Sequence, residues 1–182
     1  MNEIFQEQYY EPSTPRKEVV AIIIVGIDKN TRYILFDCDV GNRHPFRFIG
    51  GKVDPTDLSL KHAIVREINE EIGVKTYPDI LFLSEDPSFS ISTKKISGSS
   101  GLLTDYQIHV FSPLSFIHNS YFSYSGVSGR RTIWMNLSTF SMLMERVPDI
   151  FFRQTISKEI IKYIHNTKIL YRLSSQELSF SL

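Results

Sequence analysis

A glycine pair followed by a helix crowded with carboxylates constrains this chain more than any other feature. The stretch runs from Gly50 to Val74, GGKVDPTDLSLKHAIVREINEEIGV. Within it Glu67, Glu70 and Glu71 stand at i, i+3 and i+4. At about 100° per residue this spacing gathers three carboxylates in a sector of roughly 100° on one helix face. Like charges so placed repel by a few tenths of a kcal/mol per exposed pair. A hard divalent cation reverses that cost, because Mg²⁺ or Mn²⁺ takes several oxygen ligands at once. Leu60, Ile64, Ile68 and Ile72 fall on an adjacent face, so the helix can pack and still present its acids. A glutamate-rich helix face alone is usually only solvated; joined to Gly50-Gly51, Arg66 and Gly73, it points to a metal site.

These residues resemble the signature of the Nudix hydrolase family: glycine, five residues, glutamate, seven residues, then Arg-Glu-aliphatic-any-Glu-Glu-any-Gly-aliphatic. Arg66, Glu67, Ile68, Asn69, Glu70, Glu71, Ile72, Gly73 and Val74 match the second half without a gap. The first half departs twice. Asp57 stands where the family has glutamate, and eight residues instead of seven separate it from Arg66, with the extra residue near Leu58 or Ser59. The resemblance implies an α/β fold, a Nudix-like α/β/α sandwich with a mixed sheet, over roughly residues 18–166. Residues 1–17 are then an N-terminal arm and 167–182 a C-terminal tail. Trp134 weakly resembles the segment that follows the sheet in this family.

What the resemblance implies for chemistry is a metal-dependent pyrophosphohydrolase cleaving a nucleoside diphosphate linked to another moiety. Glu67, Glu70 and Glu71 would hold Mg²⁺ or Mn²⁺, with the Gly51 carbonyl as a further ligand, and Arg66 would orient a helix glutamate. Catalytic roles are therefore expected for Glu67, Glu70, Glu71 and Arg66. Asp57 either reaches the Arg66 network or caps the helix; the sequence leaves both open. Arg47 and Lys52 flank the glycine turn and are the expected substrate-binding cations. For the general base the candidates are Glu85 and Asp105, neither in a pattern that decides. Lys94-Lys95 and Arg130-Arg131 are basic pairs for which solvation is the default. A nucleotide sugar, a dinucleotide or a nucleoside triphosphate all fit. The alternative is a non-catalytic Nudix-fold module that binds a nucleotide or regulates, and Asp57 with the extra residue is its support.

Composition narrows the rest. Twenty basic and twenty acidic side chains cancel over 182 residues, so no bulk field draws a nucleic-acid polymer or an anionic membrane. The expected partner is a small nucleotide; a homodimer is compatible with the resemblance but required by no residue. Cys38 is the only cysteine, so no intramolecular disulfide framework forms, and a buried inert thiol is expected there. The first residues, MNEIFQEQYYEP, do not read as a secretory signal, and no apolar run reaches the ~20 residues of a membrane span. A cytoplasmic protein is expected.

Along the chain, Val19 to Val25 reads as one strand buried on both faces. The DKNTR stretch turns it into a hairpin with Tyr33 to Phe36. Ile80 to Leu83 reads as a short strand, and residues 84–101, rich in serine and glycine, as a long mobile loop. Tyr106 to Phe111 and Arg131 to Leu137 read as strands. The latter leads through Ser138 into a helix around 139–146, and 156–164 reads as a final amphipathic helix.

Overall fold

A computed structural model describes residues 14–39, 41, 44–72, 83–112, 117–118, 131–147, 152 and 155–167. Two sheets carry the architecture. In the first, the order is β5 (Ile49–Lys52), β1 (Arg16–Ile22), β7 (Leu103–Phe111), β6 (Phe89–Ile96). It is mixed: β1 runs antiparallel to β5 and parallel to β7, while β7 and β6 form an antiparallel hairpin. The second sheet runs β4 (Phe46–Arg47), β3 (Thr31–Cys38), β2 (Val25–Asp28), β8 (Ile117–His118), and β9 (Arg131–Asn136) also pairs with β3.

Among the described residues three helices cover the sheets: α1 (Leu60–Glu71), α2 (Leu137–Arg146) and α3 (Thr155–Thr167). On one side Ala63, Ile64, Ile68 and Ile72 of the α1 segment bury against Val20, Ile22, Ile49 and Phe111. The three isoleucines are fully buried, each contributing about 1.5–3 kcal/mol of transfer free energy. On the other side Val19, Ala21, Phe36 and Ile108 meet Phe140 of α2 and Ile160, Ile161 and Ile164 of α3. The result is the expected α/β class, a mixed sheet between helical layers.

Several local expectations are corrected. The Val19–Val25 run is two strands, not one. β1 ends at Ile22, Ile23 and Ile24 cross with 1% and 0% of their surface exposed, and β2 begins the second sheet at Val25. An apolar run reports burial on both faces but cannot report which sheet receives it. Residues 84–101 are not one long loop, since β6 occupies Phe89–Ile96. Its residues alternate half-buried and exposed, and serines among the outward positions disguise that period of two. Ile80–Phe82 lie outside the described residues; Leu83, which closed that expected strand, is buried but outside any strand. β1 starts at Arg16, inside the segment expected as an arm. α2 starts at Leu137, capped by Asn136, whose Oδ1 accepts from Ser138 N at 2.8 Å.

The β2–β3 hairpin matches the expectation, with Lys29 and Asn30 at φ 46° and 68°. Two positive φ values are what a tight hairpin turn with right-handed strand twist requires. Cys38 is buried, as expected. Among the described residues no helix is long and apolar enough to cross a membrane.

Candidate active site

β5 delivers Gly50 and Gly51 to the edge of the first sheet, directly opposite Ala21 and Val20 of β1. Gly50 has φ +142°, and a Cβ there would sit 2.7 Å from Ala21 Cα. Gly51 is required for a different reason: a Cβ would overlap the Glu67 carboxylate, which packs flat against the backbone. Gly50 thus lets two strands pair closely, and Gly51 lets a helix carboxylate touch the strand edge.

From Lys52 the chain enters a compact turn. Asp54 N donates to Asp57 Oδ2 at 2.8 Å, and Asp57 N donates back to Asp54 O at 2.9 Å. Leu58 projects outward with 90% of its surface exposed, so the extra residue of the signature is absorbed where the chain bulges into solvent. Ser59 then caps α1, its hydroxyl accepting from His62 N at 3.0 Å.

Freed from capping, Asp57 takes a fork–fork pair with Arg66, Nε to Oδ1 at 3.1 Å and Nη2 to Oδ2 at 2.9 Å. The same guanidinium donates to Lys52 O at 3.0 Å, Glu67 Oε1 at 2.9 Å and Glu70 Oε1 at 3.4 Å. Arg66 thus ties strand end, turn and helix together. Its hydrogen bonds hold the Asp57 carboxyl down at about 2, against the opposing effect of burial. The pairing with Asp57, helped by Glu67, raises Arg66 above its ordinary value.

Glu71 occupies a second, buried network. Its side chain is 4% exposed, its Oε2 accepts from Gly50 N at 3.1 Å, and its Oε1 lies 3.4 Å from Arg47 Nη2. Arg47 also pairs with Asp37 of β3, itself 4% exposed. Arg47, expected on the substrate, is engaged by these two acids. Lys52 is exposed, and its carbonyl serves Arg66. Glu85 pairs with Lys61 at 2.5 Å with 80% of its side chain exposed, and Asp105 lies on β7 opposite Lys94.

The structure thus brings Gly51, Arg66, Glu67, Glu70 and Glu71 to one end of the sheet. Glu67 and Glu71 contact the glycine strap, and Glu70, 58% exposed, faces outward. Among the described residues no three acid, imidazole or thiolate groups converge into a closed cage. The donor set still fits a magnesium-like ion, which keeps water and substrate oxygens in its shell and needs only one or two carboxylates. Asp37 was not anticipated. An aspartate inside the apolar run of β3 was the available signal, because a buried acid needs a cation.

The profile of the NUDIX domain matches residues 16–112, more than half of the 182-residue chain. The chain belongs to the Nudix hydrolase family, whose chemistry is hydrolysis of phosphoric anhydrides. Solved structures agree in fold. Shewanella oneidensis NrtR superposes with a TM-score of 0.52 at 16% identity, over 80% of this chain and 59% of that one. The MutT protein of Methanosarcina mazei Go1 gives 0.51 at 15% identity, over 86% and 97%. This chain therefore spans well under two thirds of NrtR. No sequence match was found among curated proteins.

Proposed function

We propose that this protein is a metal-dependent pyrophosphohydrolase that cleaves a nucleoside diphosphate linked to another moiety, using Mg²⁺ or Mn²⁺. The observation that supports this most is the contact of the Glu67 carboxylate with the Cβ-less face of Gly51, beside Glu71 on Gly50 N. Glu67, Glu70 and Glu71, with the Gly51 carbonyl, would hold the ion, which supplies charge neutralisation at phosphate oxygens and activation of water. Asp57 and Arg66 act as positioning residues: the fork fixes the guanidinium, and the guanidinium fixes Glu67 and Glu70. Arg47 positions Glu71 from the buried side, a role that replaces the substrate contact expected of it. Lys52, exposed beside the strap, is the remaining candidate cation for the diphosphate.

The rival reading, a nucleotide-binding or regulatory module without turnover, draws on Asp57 and the extra residue before Arg66, and on the arginine pairing of the glutamates. One experiment separates the two. Purified protein is incubated with Mg²⁺ or Mn²⁺ and a panel of ADP-ribose, NADH, dinucleoside polyphosphates, nucleotide sugars and nucleoside triphosphates. Products are resolved by chromatography. Cleavage that falls about a hundredfold or more in Glu70→Gln supports the enzyme. Cleavage unchanged in Glu70→Gln and Glu71→Gln rejects the metal assignment, and binding without product favours the module.

A further inference from the structure

The α1-facing side of the first sheet continues past the glutamates as an open polar surface. Val20 lies directly opposite Gly51, and Glu18 precedes Val20 by two, so Glu18 emerges on the same face. On β7, Gln107 is opposite Glu18 and His109 opposite Val20; on β6, Ser90 is opposite His109. Strand spacing and rise place the Glu18 backbone about 8 Å from that of Gly51. A cleft lined by Arg16, Glu18, Lys52 and Asp54 runs from Glu18 to the residue after Gly51.

His109 has unsatisfied chemistry. Its side chain keeps only 12% of its surface, and its buried Nε2 has no hydrogen-bond partner among the described residues. Glu18 Oε2 is 4.0 Å away, too far for a hydrogen bond. On the far side Nδ1 is 3.0 Å from Ser90 Oγ. A Ser90 hydroxyl donating to Nδ1 leaves the proton on Nε2, so the ring offers a donor beside the Glu18 acceptor. Arg16 Nη2 steadies the other carboxylate oxygen at 3.5 Å. Burial pushes His109 below its ordinary value, which favours the neutral ring. A buried donor left open is costly, and a ligand that fills it recovers that cost.

We propose that Glu18 and His109 receive the vicinal ribose hydroxyls of the nucleotide, one hydroxyl donating to the Glu18 carboxylate and its neighbour accepting from His109 Nε2–H. In a nucleoside diphosphate the ribose is the group attached directly to the phosphates, and about 8 Å from the glycine strap is within its reach. The assignment rests on the nucleotide reading above, and it makes Glu18 and His109 specificity determinants for a ribonucleotide.

The test is equilibrium binding by calorimetry with Mg²⁺. The probes are the α,β-methylene diphosphates of adenosine, guanosine, cytidine and uridine, which resist cleavage, and their 2′,3′-dideoxy counterparts. For at least one base the ribo form binds about tenfold tighter or more. Glu18→Gln, on a half-exposed side chain, collapses that preference to about twofold or less with an unchanged melting temperature; His109→Asn does the same. A preference that survives Glu18→Gln, or binding with none in the parent protein, overturns the ribose assignment and leaves the nucleotide reading standing. Binding of no probe at all overturns both.

Discussion

The helix α1 is gripped by two arginines in unlike surroundings. Arg66 stands on the helix, 27% exposed, and spreads its donors over Asp57, Glu67, Glu70 and a backbone carbonyl. Arg47 comes from β4, 21% exposed, and bridges two acids that are each 4% exposed. In the first network Glu67 and Glu70 keep some water, and Asp57, whose side chain is 0% exposed, still has Asp54 N and His62 Nδ1 as partners when Arg66 is removed. In the second, removing the cation strands two carboxylates in the interior. Charge pairs of similar length therefore do different work: one fixes the helix carboxylates against the turn, the other holds a helix to a sheet.

Arg47→Ala should be the most damaging change to stability. Breaking a buried pair by removing one partner costs about 3–5 kcal/mol, and the residual exposure of Arg47 places it near 3. Urea denaturation measures this, and a loss under about 1 kcal/mol would show that water reaches Asp37 and Glu71. Arg66→Ala strands one buried carboxylate, not two, and leaves it Asp54 N and His62 as partners, so it should lower stability less, by about 1–3 kcal/mol, while removing most turnover. Equal stability losses in the two variants would erase the distinction.

The glycine pair divides in the same way. Gly50→Ala meets rigid backbone at Ala21 and an unfavourable φ, and should destabilise by about 1–3 kcal/mol. Gly51→Ala meets only the end of the Glu67 side chain, which can swing aside. It should cost less than about 1 kcal/mol in stability but displace the carboxylate and depress kcat. Thermal melting beside steady-state kinetics sorts the pair.

How far these networks could be read from the sequence depends on their range. The Arg66 side lies within nineteen residues, from Lys52 to Glu70, and helix periodicity exposes it; only the choice of Asp57 as partner over cap needed the fold. The hairpin at Lys29-Asn30 was equally local. The Arg47 side joins Asp37, Arg47 and Glu71 from β3, β4 and α1, and no local period links them. Glu18 and His109 meet only because β1 and β7 run parallel in one register. The 84–101 region failed for a local reason, since serine-rich composition hid a two-residue alternation.

Acid should also loosen the Arg66 network, at the low end of the pH range. The Asp57 carboxyl is depressed to about 2 by Arg66, below its unfolded value. Its contribution is therefore complete above about pH 4 and is lost as the pH falls through about 2. Asp57→Asn should flatten stability across that window and leave it parallel to the parent at higher pH. An unchanged acid limb, followed by circular dichroism, would mean Asp57 retains an ordinary carboxylate pKa.

The smallest effect is expected at Glu85, and it bears on the identity of the general base. Glu85 is 80% exposed and pairs with Lys61 in the first turn of α1. Six to ten residues separate Lys61 from Glu67 and Glu71, about 9–15 Å along the helix axis. A general base must come within about 3 Å of the water it deprotonates, directly or through one more water. A carboxylate that stays paired with Lys61 is expected to fall short of this condition. Glu85→Gln should thus shift stability by under about 0.5 kcal/mol, less still in high salt, and alter kcat by no more than about twofold. A large drop in kcat with an unchanged melting temperature would place the Glu85 segment over the site during turnover, and the Lys61 pair would then be the resting position of a catalytic acid.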